Sequence, residues 1–178
     1  AHVEAGIRQK PKDMPEEINR VLTDRISHFL FCPSMLSVEN LSHEGIKEGV
    51  EFVGDTMYDV YTKMEKLFDI SQALKEYALE KDSFVLATIH RDFNTDNPEK
   101  LSQIIDSLNR LSKDIKVLFP MHPRTKKLAA CLGKEILFEV TEPIGYLQLQ
   151  ALVKASKLVV TDSGGLQKES YYAGKRGV

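Results

Sequence analysis

From Glu16 to about His28 the apolar residues Ile18, Val21, Leu22 and Ile26 return at helical spacing, and Pro15 stands where a first helical turn tolerates it. The pattern predicts a helix. "FLFCPS" then reads as a short buried strand closed by Pro33, "SMLSVENLSHEG" as a second helix capped by Ser34 and ended by Gly45, and "VEFVGDT" as another strand. "MYDVYTKMEKLF" and "QALKEYAL" are helical with a charged outer face, and Lys81, Asp82 and Ser83 make a polar break before "FVLATIH". This helical stretch, residues 61–82, is the expected connection between two domains, 1–60 and 83–178.

Beyond the break the alternation sharpens. Strand "FVLATIH" is followed by a helix from about Pro98 to Leu111, strand "IKVLFPMH", a helix near Lys126 to Leu132, strand "ILFEVTE", helix "YLQLQALVKAS", strand "KLVVTD" and helix "GLQKESYYAG". Strands separated by helices of this length predict an α/β fold with a doubly wound parallel sheet. Right-handed crossovers then bring every strand's C-terminal end to one edge. His90 and Arg91, His122 and Arg124, Thr141 and Glu142, and Asp162, Ser163 and Gly164 all arrive there. The chain opens "AHVEAG" without Met or a signal-like segment and closes "YYAGKRGV" where a new strand is expected to start, so it reads as an excised piece, incomplete at both ends.

Composition narrows the function classes. With 42% hydrophobic and 28% charged residues the chain is an ordinary globular protein, and no apolar run approaches the roughly 20 residues of a membrane span. A soluble, cytoplasmic location with no membrane partner is the expectation. The net charge of −2 comes from well-mixed acids and bases, leaving no basic footprint for nucleic acid. Cys32 and Cys131 sit in apolar contexts without metal-ligand spacing, so both are expected to be buried thiols, with no disulfide and no metal site.

The stretch "VVTDSGGLQKES" carries the sharpest chemistry. A strand ends in Asp162, Ser163, Gly164 and Gly165, and a helix starting at Gly165 or Leu166 adds its positive end to the same spot. Backbone N–H groups there can meet a phosphate, although strand-to-helix turns also take these residues as N-caps and for positive φ. Two histidines and two arginines at the same edge favour an anion such as a diphosphate over a metal or an apolar ligand. Glu169, four residues past Gly165, is placed to accept hydrogen bonds from vicinal hydroxyls, as acids do for ribose. A nucleoside diphosphate satisfies both halves.

Together "HVEAGIR", "PEEINR", "GDTMYD", "TIHRDFNTDNPEKL", "MHPRT" and "TDSGGLQKES" resemble the non-hydrolysing UDP-N-acetylglucosamine 2-epimerase family, in order and spacing over nearly the whole chain. The resemblance implies two Rossmann-like domains of the GT-B type, with residues 1–60 ending the first and 83–178 forming the UDP-binding second. It implies interconversion of UDP-GlcNAc and UDP-ManNAc by elimination and re-addition of UDP, in cell-envelope polysaccharide synthesis, without a cofactor, by a homodimeric full-length enzyme. Carried over motif by motif, Glu4 and Glu16 are the acid/base carboxylates and His90 contacts the leaving diphosphate. Arg91 and His122 support it, Ser163, Gly164 and Gly165 hold phosphate, and Glu169 holds the ribose. For Glu16 the helix dipole alone also favours an acid after Pro15. Lys168 stands where many relatives carry an acid and receives no role, and "HRDFNTDN" departs from the relatives' His-Arg-Ala-Glu-Asn.

Three other readings share the nucleotide site: a hydrolysing epimerase, a GT-B glycosyltransferase and a non-catalytic UDP-sugar binding module. The chain by itself is expected to be inactive and marginally stable, because parallel strands need covered faces and neighbours.

Overall fold

"FLFCPS" forms β2 (Leu30–Cys32), the middle strand of a three-stranded parallel sheet in the order β1 (His2–Val3), β2, β3 (Val50–Phe52). The computed structural model describes residues 1–10 and 13–178, which divide into two compact units, Ala1–Lys63 and Met64–Val178. In the first unit α1 (Pro15–Ile26) and α2 (Met35–His43) connect the strands. Ser34 caps α2 by accepting from Ser37 N at 3.1 Å, and Gly45 stops it at φ +79°, as its sequence signals require.

The apolar stripe of α1 faces outward. Ile18, Leu22 and Ile26 are exposed, Ile26 by 85%, whereas Glu17 and Asp24 are buried. The acids are drawn inward by donors that compensate their desolvation. Asp24 meets His2 Nδ1 at 2.5 Å, Arg8 at 2.8 Å and Gly6 N at 3.2 Å, and Glu17 accepts from Gln9 N at 3.0 Å. The apolar core beneath is small: Ala5, Leu30, Cys32 and Leu41.

Helix α3 (Thr56–Met64) closes the first unit, and in the second a 3-10 turn, Glu65–Leu67, leads into α4 (Ile70–Glu76). The second sheet is five-stranded and wholly parallel, in the order β6 (Glu139–Thr141), β5 (Lys116–Pro120), β4 (Phe84–Thr88), β7 (Leu158–Thr161), β8 (Arg176–Gly177). Its helices are α5 (Asp92–Thr95), α6 (Pro98–Leu111), α7 (Pro123–Cys131), α8 (Tyr146–Ala155) and α9 (Gly164–Tyr172). The chain steps from β4 outward to β5 and β6, then crosses back so that β7 lies on β4's other side. That reversal is what doubly wound means, and it places a crevice between the ends of β4 and β7.

Both faces of the sheet are covered. Val85, Ala87 and Ile89 with Val117, Phe119 and Met121 pack against Leu101, Ile105 and Leu108 of α6, spaced four and three residues apart on one helical face. The alternate residues Phe84, Leu86 and Leu118 are equally buried, as are Ala151, Leu152 and Ala155 of α8. Each large side chain so buried contributes about 1.5 to 3 kcal/mol. The α6 boundaries match the sequence pattern because Asn97 accepts from both Glu99 N and Lys100 N, with Pro98 in the first turn.

Several local expectations change. The helix expected near Lys126 starts three residues earlier, since His122 caps it and Pro123 fits its first turn. Helix α9 begins at Gly164 rather than Gly165 or Leu166, β6 is confined to three residues, and the four-residue α5 has too short a period to be seen in sequence. Cys32 is buried, but Cys131 is exposed: α7 buries Thr125 and Ala129, and a residue two places further points to the opposite side. Among the described residues no helix is long and apolar enough to cross a membrane.

Candidate functional site

Thr88 and Thr161 end the adjacent strands β4 and β7 in register, with their hydroxyls 2.8 Å apart. The next residues on each strand turn out over the crevice. On the β7 side Asp162 leads to Ser163, whose hydroxyl accepts from Leu166 N at 3.4 Å and caps α9. As that oxygen accepts, its own hydrogen remains available to a ligand. Gly164 and Gly165 follow as the first helical residues, and neither has a positive φ. A Cβ at Gly164 would meet nothing within 4 Å. Neither backbone conformation nor packing explains that glycine, and its N–H stands at the positive end of the α9 dipole.

The β4 side is tied to this turn by Asp162. Its carboxylate accepts from His90 N at 3.1 and 3.2 Å, from Arg91 N at 2.9 Å and from Asn94 Nδ2 at 2.9 Å. The His90 ring nitrogen Nδ1 lies 3.7 Å from the same group. Asp162 thus fixes the backbone that presents His90, and its own charge is offset by N–H donors.

A cavity of about 490 Å³ opens at this edge, and His90, His122, Ser163, Gly165 and Glu169 line it together with Arg124. His122 Nδ1 accepts from Arg124 N at 3.2 Å, so in the neutral ring Nε2 carries the hydrogen and is a donor. Arg124 forks to Asp92 and Asp96 at 2.6 Å each, which gives the unusual acids of "HRDFNTDN" a role in holding that guanidinium. Arg91 does not line the cavity; its Nε donates to Asp162 O at 3.1 Å, bracing the turn.

Glu169, one turn along α9, accepts from Gln150 Nε2 at 2.6 Å. Burial pushes its carboxyl above the ordinary value, and hydrogen bonds from Gln150 and Tyr146 oppose that rise without cancelling it. Tyr146 is pushed up in turn, first by burial and then by the charge of Glu169. Among the described residues no group of three or more side chains is arranged to hold a metal ion.

Glu4 and Glu16 lie at the two ends of the β1–α1 connection in the first unit. Glu4 is not in the strand but just past it, at φ +67°, a region that costs a non-glycine residue about 1 to 2 kcal/mol. Its neighbours enforce the conformation. Ala5 N donates to Phe31 O at 3.0 Å, and Gly6, at φ +74°, passes so near α2 that a Cβ would lie 2.2 Å from Ser37 O. Asn40 Nδ2 donates to Gly6 O at 3.0 Å, and Arg8 pairs with both Asp24 and Glu44. Those two acids raise the Arg8 pKa further above its already high value. Glu16 is exposed in the first turn of α1, where the helix dipole favours an acid, and the adjacent Glu17 is the buried one. Sequence reading missed Asp24; its signal was the acid pair Glu17 and Asp24, seven apart on one helical face.

Comparison with known proteins agrees with these motifs. The family model described as UDP-N-acetylglucosamine 2-epimerase matches residues 1–178. A Pseudomonas aeruginosa UDP-2,3-diacetamido-2,3-dideoxy-D-glucuronate 2-epimerase is 42% identical over 180 residues, covering 98% of this chain and 49% of that protein. The Methanocaldococcus jannaschii UDP-N-acetylglucosamine 2-epimerase is 39% identical, covering 96% of this chain and 50% of the relative. The crystal structure of the M. jannaschii enzyme in complex with UDP-GlcNAc and UDP superposes with a TM-score of 0.86 at 36% identity, over 99% of this chain and 52% of that one. The Neisseria meningitidis UDP-GlcNAc 2-epimerase bound to UDP-GlcNAc gives 0.83 at 28% identity, over 99% and 51%. The chain therefore spans about half the length of the curated relatives it matches. On the family match over its whole length and the 42% identity to a relative, this chain belongs to the UDP-N-acetylglucosamine 2-epimerase family.

Proposed function

We propose that the cavity between β4 and β7 binds the UDP moiety of a UDP-2-acetamido sugar, and that the full-length protein inverts carbon 2 of that sugar without hydrolysing it. The observation that carries this reading is the Ser163–Gly164–Gly165 helix start, in which Gly164 is a glycine that packing does not require and Ser163 and Gly165 line the cavity with His90 and His122. Diphosphate lies at the helix N-terminus, and Glu169 accepts from the ribose hydroxyls. Glu4 and Glu16 supply the proton transfers. One carboxylate removes the carbon 2 proton as the bond from carbon 1 to UDP breaks, leaving a glycal and free UDP. The other returns a proton to the opposite face of carbon 2, and UDP attacks carbon 1 again. The departing diphosphate gains charge as its bond breaks, so His90 and the helix start stabilise the transition state more than the ground state. Sugar choice lies between UDP-GlcNAc and a diacetamido relative.

The test follows carbon 2 by proton NMR in deuterated water, with the full-length enzyme and each sugar nucleotide. Deuterium incorporation with a nucleotide-sugar product is expected. Free sugar would mean hydrolysis, and no exchange without an added acceptor would favour a glycosyltransferase or a binding module. Glu16→Gln should keep UDP binding and lose at least about 100-fold in turnover, the low end for a general acid or base; normal turnover would reduce Glu16 to a helix-start acid.

A further inference from the structure

Helix α8 carries an anomaly. Gln150 is completely buried beside Ala151, Leu152 and Val153, in a position where a leucine would be at home. Its Oε1 has no hydrogen-bond partner among the described residues. Burying an amide oxygen without a partner is costly, and native folds keep such groups rarely and for a reason. The orientation of the amide is not in question, because the carboxylate of Glu169 opposite needs a donor and Nε2 supplies it at 2.6 Å.

We propose that Gln150 is a positioning residue for the ligand site: buried behind the cavity, its amide nitrogen fixes the Glu169 carboxylate as an acceptor for vicinal hydroxyls. Gln150 does not line the cavity and so does not touch the ligand; Glu169 does line it. Gln150 Nε2 holds Glu169 Oε2 from behind, and the remaining acceptor capacity of the carboxylate is turned to the cavity side. Tyr146, on the same helix as Gln150, also bonds Glu169, so two groups from α8 constrain one from α9. The other titratable side chains lining this cavity are His90, His122 and Arg124. The unsatisfied Oε1 is then the cost of keeping a donor at a place the core would otherwise give to a hydrocarbon.

This inference rests on the reading of the cavity as a UDP site, and the experiment separates the two. UDP is titrated calorimetrically into the chain carrying Gln150→Leu, or Gln150→Met should the branched side chain fail to fold, each alone and combined with Glu169→Ala. The expected result is a Kd about tenfold higher, about 1.4 kcal/mol, in the Glu169 background and no further loss once Glu169 is gone. An unchanged Kd, or the same loss in both backgrounds, would overturn the positioning role. A second measurement does not depend on UDP: carbon-13 NMR titration of the Glu169 carboxyl in the ligand-free chain. Its midpoint should rise in Gln150→Met, because a donor to the charged form is lost. A midpoint that stays put would overturn the inference even if UDP binds. If the unsubstituted chain fails to bind UDP while the midpoint shifts, the ligand reading falls and the hold of Gln150 on Glu169 stands.

Discussion

Glu169 lines the candidate cavity at the expense of stability. Its carboxyl titrates above the ordinary value in the folded chain, mainly because burial disfavours the charge. In the window between the ordinary carboxylate value and that raised value the folded state holds more protons than the unfolded one, so stability falls as pH rises through it. Glu169→Gln is therefore expected to raise the melting temperature at neutral pH, with the gain vanishing as pH drops below the window. UDP affinity should run the other way, rising with pH across the same window as the better acceptor forms. Thermal scans and titrations between mildly acidic and neutral pH check both; a melting gain that persists in acid would mean that charge burial is not its cause. Glu169 was legible in sequence from its place one turn beyond Gly165. Asp162 was legible only as a strand-end residue: its donors at His90, Arg91 and Asn94 come from 68 to 72 positions away, and no local pattern records that. Gln150 was hidden for the same reason, inside a run that reads as plain core.

The helices divide by how their signals were written. Helix α6 was readable to the residue because caps, Pro98 and a helical period all coincide on its bounds. Helix α1 was readable as a helix but not in its rotation, because periodicity reveals a stripe and not the direction it faces; the ion cluster of Asp24, His2 and Arg8 decides that. Helix α9 is the informative case. Its start carries two glycines at a place where alanine would be the better helix former, and Gly164 has open space around its absent Cβ. Gly164→Ala should leave the fold intact or stabilise it by up to about 1 kcal/mol, the ordinary penalty of glycine in a helix. Gly164 does not itself line the cavity but stands between Ser163 and Gly165, which do, so under the proposed function the added methyl crowds the helix start and UDP affinity is expected to drop at least about tenfold, about 1.4 kcal/mol. A variant that melts lower but binds UDP normally would return the glycines to a purely structural role.

The two units differ in what they bury. Among the described residues the first buries Tyr61 and the cluster Ala5, Leu30, Cys32 and Leu41, and leaves Val3, Ile18, Leu22, Phe29 and Phe52 exposed. The second has a sheet covered on both faces, and every residue lining the candidate cavity belongs to it. Opening free energies within one protein scale with such buried contact, so amide exchange should be faster through β1–β3 than through β4, β5 and β7. The carboxylates proposed for proton transfer, Glu4 and Glu16, fall in the weaker unit, and the proposed nucleotide contacts fall in the stronger one. Under the proposed function, UDP binding is therefore expected to survive removal of the first unit. A polypeptide of residues 64–178 is expected to bind UDP within about threefold of the affinity of residues 1–178, since a factor of that size is well under 1.4 kcal/mol and no cavity-lining residue has been removed. It should give no deuterium exchange at carbon 2 of UDP-GlcNAc, because no group left in it is assigned to proton transfer at carbon. Loss of UDP binding from a folded 64–178 polypeptide would show that the nucleotide site needs the first unit, and carbon 2 exchange by that polypeptide would remove Glu4 and Glu16 from the chemistry.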